Sequence, residues 1–270
     1  MALTTNRPPR ILAIAGSDSS GGAGIQADIK TVTMLGGYAM TAITALTAQN
    51  TRGVHAVEPM VPDFVAAQMD ACMQDIGVDA VKIGMLGTAD IAEVVADRLE
   101  DLNCPIVFDP VMVATSGSVL ADAATVEVFE WLMELAMLTT PNVPELEALG
   151  GPEAMADRGI AYLAKGGDAD GPMVEDRLVR PGHEDTVWNE ARIVTKHTHG
   201  TGCTLSSAIA IHLARGLTLA DAVAEARRFV RAALMHAPGY GFGKGPLGHQ
   251  AVRLPAAFVD FRPVTEPQST

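Results

Sequence analysis

The chain has 270 residues, 48% of them hydrophobic, and a formal net charge of −13. That acidity argues against a nucleic-acid groove, which needs a basic surface, and suits a cytoplasmic protein. No apolar run reaches the roughly 18 residues of a membrane span, the polar start lacks a signal-peptide core, and three scattered cysteines form neither a disulfide framework nor a CxxC metal site.

Residues 11–15 form an apolar run ending at Gly16, the pattern of a buried parallel strand. Gly16-Ser-Asp-Ser-Ser-Gly-Gly-Ala-Gly24 follows, then a helix over 25–35 with Ile25, Ile29 and Val32 on its apolar face. Strand, glycine loop and helix make the geometry of a ligand loop at the carboxyl edge of a sheet. The loop is neither a Walker A motif nor GxGxxG. A phosphate site, a pocket for a small polar ligand and a plain tight turn all stay open. Residues 38–48 read as a second strand leading to Gln49-Asn50-Thr51. Gln49 can donate and accept at once, which suits a heteroaromatic ring; a turn cap is the alternative.

Pro62 opens a helix that runs to Asp75, with Val65, Met69, Cys72 and Ile76 as its buried stripe. Strand 80–83 ends in Gly84-Met85-Leu86, and Lys82 within it either meets an anion or snorkels. A helix from Thr88 or Asp90 turns Ile91, Val94, Val95 and Leu99 inward. Strand 106–108 ends in Asp109-Pro110-Val111, where the aspartate is placed to meet Mg²⁺ or a transferring phosphate, or to cap a turn. A helix over 121–136 and a strand over 137–140 precede Asn142, which begins another helix. Asn142 and Glu145 can approach each other across one turn and reach a metal's water shell, or act as N-cap and first-turn partner. Residues 161–167 read as a short strand meeting a glycine turn, with Lys165 able to reach a phosphate. Residues 171–190 are polar and irregular, with 175–180 as a hairpin strand. A strand over 192–195 feeds the next loop.

That loop, His199-Gly-Thr-Gly-Cys-Thr-Leu-Ser206, runs into an amphipathic helix with Leu205, Ala208, Ile209 and Leu213 on one face and Gly216 at its stop. A helix start presents unpaired amides and a partial positive charge, and Gly200 and Gly202 let backbone approach an anion. The thiol of Cys203 at that terminus is expected below its usual value of about 8.5. One stretch thus offers both a phosphate cradle and a base; an ordinary glycine-rich helix start with a buried cysteine is the competing reading. Thr218 to Asp221 has capping-box form and leads a last helix. Gly239 to Gly245 is a glycine loop too irregular to interpret by spacing. The repeated strand-then-helix order predicts an α/β fold, a mainly parallel central sheet with helices on both faces. It forms one domain over 10–258, between a flexible segment 1–9 and a tail 259–270.

Seven stretches carry a resemblance. They are Ala15-Gly-Ser-Asp-Ser-Ser-Gly-Gly-Ala-Gly-Ile-Gln-Ala-Asp28, Ala45-Leu-Thr-Ala-Gln-Asn-Thr51, Lys82-Ile-Gly-Met-Leu86, Asp109-Pro-Val-Met112, Thr140-Pro-Asn-Val-Pro-Glu145, Lys165-Gly-Gly167 and His199 to Ser206. In this order they resemble the hydroxymethylpyrimidine/phosphomethylpyrimidine kinases of thiamine biosynthesis, within the ribokinase-like superfamily, from about Arg10 to His249. The resemblance implies that Gly16, Ala23, Gln49, Met85 and Val111 line a pyrimidine pocket, with Gln49 on the aminopyrimidine edge. It implies that Gly200, Thr201, Gly202 and Cys203 form the anion hole, with Cys203 as base on the hydroxymethyl oxygen, where sugar kinases of the superfamily carry Asp. Asp109 and Glu145 would serve Mg²⁺, and Asn142 and Lys165 the phosphates of ATP. A homodimer is implied, and a monovalent cation is left open.

One stretch departs from the family: between Glu153 and Lys165 the chain is shorter, its helix and strand compressed into 154–164. The implied activity is phosphorylation of 4-amino-5-hydroxymethyl-2-methylpyrimidine to its monophosphate and then its diphosphate. A pyridoxal kinase, whose substrate is also a flat ring bearing a hydroxymethyl group, and a non-catalytic pyrimidine-binding protein are the rival readings.

Overall fold

The structure is a computed structural model that describes residues 7–113, 117, 119–167 and 169–253. The expected tail 259–270, the boundary at 258 and most of the segment 1–9 lie outside the described residues. Among the described residues nine strands form one sheet: β1 (Arg10–Asp18), β2 (Tyr38–Asn50), β3 (Gly53–Pro59), β4 (Ala80–Ile83), β5 (Ile106–Phe108), β6 (Leu138–Thr139), β7 (Tyr162–Ala164), β8 (Met173–Val179) and β9 (Thr186–Ala191). Their spatial order is β3-β2-β1-β4-β5-β6-β7-β8-β9. The six strands from β2 to β7 run parallel, and β3, β8 and β9 add antiparallel edges.

The apolar run of β1 is continuous because both faces of the sheet are covered. Leu12 and Ile14 point into one core with Val81, Ile83, Ile106 and Phe108. This core is covered by α2 (Pro62–Ala71), α3 (Ala89–Leu99), α4 (Ala123–Leu135), α5 (Val143–Ala148) and α6 (Gly151–Asp157). Ile11, Ala80, Val107, Leu138 and Leu163 point the other way, towards α1 (Gly24–Met34), α7 (Thr201–Ala214) and α8 (Leu219–Met235). Side-chain caps start four of these helices: Thr88 for α3, Asp122 for α4, Asn142 for α5 and Thr218 for α8. Among the described residues no helix is long and apolar enough to cross a membrane.

Several local expectations change. The strand expected at 192–195 lies earlier, as β9, and the stretch read as irregular contains a full β8–β9 hairpin. The edge strand β3 was not anticipated. In α1 the exposed Ile29 gives its inward place to Asp28, which is fully buried. The long helix from Pro62 stops being α-helical at Ala71 and continues as one π turn over Cys72–Ile76; Ile76 is exposed and Cys72 half-buried. The helix after Gly200 is not amphipathic: Thr204 to Leu213 are all buried, because α7 is packed by α1, α8 and the sheet together. The compressed segment still supplies both α6 and β7, which seat Lys165 beside β6.

Candidate active site

The carboxyl ends of the parallel strands and the start of α7 enclose a cavity of about 600 Å³. Its floor is set by glycines where backbones touch. A Cβ on Gly24 would lie 2.2 Å from the Gly16 carbonyl oxygen, and one on Gly200 would lie 1.9 Å from that of Gly22. Gly200 also holds φ at +86°, as the residue that caps α7. The first helical hydrogen bond of α7 is Thr204 N–H to the Gly200 carbonyl at 2.9 Å. The amides of Gly202 and Cys203 precede it at the positive end of the helix. Gly200, Thr201, Gly202 and Cys203, where an anion cradle is expected, form one wall of the cavity.

Charged side chains face this cradle. Lys165 Nζ donates to Asp109 Oδ1 at 2.7 Å and lies 3.8 Å from Glu145 Oε2. Thr140 donates to the same Asp109 oxygen at 3.1 Å. A Cβ on Gly202 would stand 3.4 Å from both Asp109 Oδ2 and Lys165 Nζ, so the pair abuts the helix start. Asn142 and Glu145 line the cavity but make a capping box: Asn142 Oδ1 accepts from Glu145 N–H at 2.9 Å, and Glu145 Oε2 accepts from Asn142 N–H at 2.8 Å. Among the described residues no group of three or more His, Cys, Asp or Glu could hold a metal ion. Asp109 and Glu145 are instead two buried carboxylates opening on an anion cradle, and that donor set fits Mg²⁺, which keeps waters and shares phosphate oxygens.

Behind the cradle lies a second, fully buried pair. Lys82 Nζ meets Asp28 Oδ1 at 3.0 Å, and Ser207, one turn after Cys203 on α7, donates to the same oxygen at 2.8 Å. Lys82 thus meets an anion, as one of its two readings held. Burial alone would lower this ammonium, but Asp28, Cys203 and Asp109 outweigh it and hold Lys82 above its ordinary range. Cys203 behaves differently from expectation. Burial pushes its thiol up to about 11, with Lys82 pulling down and Asp28 and Asp109 pushing further up. Desolvation wins over the helix terminus, so Cys203 is a thiol rather than a thiolate.

At the other end Gly16, Ala23, Gln49, Met85 and Val111 all line the cavity. Met85 lies against Gly16, where a Cβ would stand 3.2 Å from its sulfur, and its carbonyl accepts from buried Thr44 at 2.6 Å. Two further residues, Asp18 and His199, were not singled out. Asp18 Oδ2 lies 2.8 Å from His199 Nε2 and accepts the amides of Gly22 and Ala23 at 3.0 and 2.8 Å. Burial would raise its carboxyl, but hydrogen bonds from His199, Ser20 and the Ala23 amide hold it down to about 2. The Asp-Ser-Ser-Gly-Gly text carries a signal for this turn, since Asp favours bonding to its own following amides.

The cavity continues past Lys165 along Val174, Ile193, Val230 and Leu234, with Asp176 and Arg227 beneath. Asp176 accepts from Gly166 N–H at 3.0 Å and from Arg227 Nε at 2.7 Å. The late glycine loop also finds its place. A Cβ on Gly243 would stand 2.0 Å from the Thr51 carbonyl oxygen, His199 N–H bonds the Gly245 carbonyl at 3.1 Å, and Lys244 lines the cavity.

The family model for phosphomethylpyrimidine kinase matches residues 18–248. The chain is 45% identical to the hydroxymethylpyrimidine/phosphomethylpyrimidine kinase of Rhizobium meliloti, over 88% of this chain and 96% of that protein. It is 44% identical to the thiamine biosynthesis bifunctional protein of Geobacter sulfurreducens over 88% of its own length, and there it spans 52% of the longer protein. The solved pyridoxal kinase of Staphylococcus aureus in complex with pyridoxal superposes with a TM-score of 0.82, at 31% identity, over 90% of this chain and 94% of that one.

Proposed function

Because the chain belongs to the phosphomethylpyrimidine kinase family, we propose that it transfers phosphoryl groups from ATP, first to the hydroxymethyl oxygen of 4-amino-5-hydroxymethyl-2-methylpyrimidine and then to the resulting monophosphate, in thiamine biosynthesis. The observation that carries this reading is the continuity of one cavity. It joins a flat glycine- and methionine-walled end at Gly16, Gln49 and Met85 to the Gly200–Cys203 helix start, faced by Lys165 and Asp109.

Phosphoryl transfer needs in-line placement and stabilisation of spreading negative charge more than covalent help. The amides at the start of α7 supply the latter, and one such donor is typically worth about 10²–10³ in rate. Lys165 offers its ammonium to the phosphates; burial would lower it, but Asp109 and Glu145 outweigh that and raise it, so it stays charged. Asp109 and Glu145 would hold Mg²⁺, which when bound neutralises phosphate charge. As its thiolate, Cys203 accepts the hydroxyl proton as the bond to phosphorus forms. With a thiol near 11 only about one molecule in a thousand carries the thiolate at pH 8. Proton transfer to Cys203 therefore runs through that thiolate fraction, and the rate of the first step rises with pH towards 11. The same site takes both acceptors in turn, the monophosphate's own oxygen replacing the alcohol.

Mg²⁺ as the metal and a homodimer are parts of the same proposal. The identities of 44–45% to thiamine-pathway relatives, against 31% to the pyridoxal kinase, favour the pyrimidine over pyridoxal. ADP release on adding the aminopyrimidine to protein, ATP and Mg²⁺ tests the reading. Release with pyridoxal alone would move it to that vitamin. Ring binding without ADP release would leave a binding protein.

A further inference from the structure

The glycine loop near the end of the chain leads into a short segment that the mechanism above does not use. That segment holds the start of α7 from both sides. Before Gly200, the His199 N–H bonds the Gly245 carbonyl at 3.1 Å, and His199 forms a parallel bridge with Pro246. After Cys203, Thr204 Oγ1 stands 2.8 Å from His249 Nε2, within hydrogen-bond distance. The same hydroxyl donates to the Gly200 carbonyl at 2.8 Å, beside the Thr204 N–H that makes the first helical bond of α7. Thr204 and His249 are both buried. A hydroxyl bonded back to its own helix adds little stability by itself. Here it also ties the first turn of α7 to a distant part of the chain.

The tie falls where the backbone is freest to turn. Gly200 holds φ at +86°, and glycine lets the peptide after it swing more readily than any other residue. The Gly200 carbonyl belongs to that peptide, and a planar peptide moves as one body. Swinging it would carry Thr201 away and turn the amides of Gly202 and Cys203 off a bound anion. The brace itself has a fixed seat. Gly248 N–H bonds the Ala233 carbonyl of α8 at 2.9 Å, and a Cβ on Gly248 would lie 1.9 Å from the His236 carbonyl oxygen. His249 opens a 3-10 turn over His249–Ala251, with its ring centroid 6.4 Å from that of Phe229.

We propose that Thr204 and His249 are positioning residues for phosphoryl transfer, holding the Gly200–Thr201 peptide so that the amides at the start of α7 stay aimed at the phosphoryl group in flight. The inference rests on the kinase reading above. Neither side chain lines the cavity, so neither adds to the ground-state affinity of a substrate. Their share is in kcat, because negative charge develops against the amides as the phosphoryl group moves.

The test is steady-state ADP release with ATP, Mg²⁺ and the aminopyrimidine, alongside the affinity for ADP with aluminium fluoride, a mimic of the phosphoryl group in flight. Thr204→Val keeps the side chain's shape and removes its hydroxyl. It should lower kcat by about 10- to 100-fold, the effect of a small misplacement, and leave KM for both substrates within about threefold. Binding of the mimic should weaken by the same factor as kcat. His249→Leu should behave alike. Thr204→Ser restores the hydroxyl, and His249→Gln offers a donor and an acceptor at a similar reach; each should recover most of the loss. The double variant Thr204→Val with His249→Leu should lose no more than the worse single one, because both act through one link. Should His249→Leu fail to fold, the comparison of Thr204→Val with Thr204→Ser decides alone. A merely structural loosening would raise KM for both substrates as kcat falls, and would overturn the proposal. Wild-type kcat in Thr204→Val, or losses that multiply in the double variant, would overturn it too. A wild type that releases no ADP with the aminopyrimidine would overturn the kinase reading itself, and the brace with it.

Discussion

At Gly200 two requirements coincide: a left-handed backbone at +86° and a contact with the Gly22 carbonyl that leaves no space for a methyl group. Gly200→Ala must shift the start of α7 away from the glycine loop, and with it the amides of the cradle. We expect kcat to fall by at least about 100-fold, read by ADP release, in protein that still shows its far-ultraviolet helix signal. A variant with wild-type kcat would place the cradle elsewhere. For Cys203, alkylation by iodoacetamide without added substrates should rise towards pH 11 rather than level off near pH 8.5. A plateau by pH 9 would mean that the helix terminus outweighs burial. Cys203→Ala should lower kcat for the first phosphorylation by about 10²–10³ with little change in aminopyrimidine affinity. Much of this was legible in the sequence: the run of glycines around Cys203 marks an approach of backbone to something. The environment of its sulfur was not, because Asp28, Lys82 and Asp109 come from three distant elements. His199 and Asp18 likewise meet across 181 positions of chain.

Elements that are buried on both faces were the easiest to read. The strands at 80–83 and 106–108 were legible as apolar runs, because an enclosed parallel strand has no solvent side. The edge strands were not. β3 is almost wholly exposed and β9 alternates between half-buried and exposed, so neither shows an apolar signal, and β9 was displaced to the more apolar 192–195. These edges nonetheless reach the site. Arg227 of α8 bonds Asp176 of β8 and meets Glu190 of β9 at 3.0 Å, while Asp176 holds the Gly166 amide beside Lys165. A Cβ on Gly166 would lie 2.0 Å from the Glu175 carbonyl, so the turn has one seat. Arg227→Met should therefore raise KM for ATP about tenfold, leaving KM for the aminopyrimidine within about twofold, because removing one partner strands the buried Asp176 charge. Steady-state kinetics with each substrate varied in turn would show it; equal rises in both constants would mean a general loosening instead.

Across the whole molecule, two buried histidines set an acid limit. Burial, helped by Arg215 for one and Lys30 for the other, holds His212 and His249 down to about 4. In the unfolded chain each takes up a proton near 6.5, so their stabilising share is complete above that pH and is lost as pH falls from 6.5 to 4. The full loss is roughly 3 kcal/mol for each. Urea unfolding should give a lower midpoint at pH 5 than at pH 7, and His212→Leu should narrow the gap; equal midpoints would contradict the account. The overall order of strands and helices was legible from alternating patterns, and so was the convergence of Gly16, Gln49, Asp109, Lys165 and Cys203 at one sheet edge. The span of the cavity from Gly16 to the start of α7 was not, since it depends on how elements far apart in the chain pack together. The most direct measurement is a time course by mass spectrometry of protein with ATP, Mg²⁺ and 4-amino-5-hydroxymethyl-2-methylpyrimidine. The account predicts that the monophosphate forms first and then gives way to the diphosphate. No phosphorylated pyrimidine, or a monophosphate that accumulates without further reaction, would contradict it.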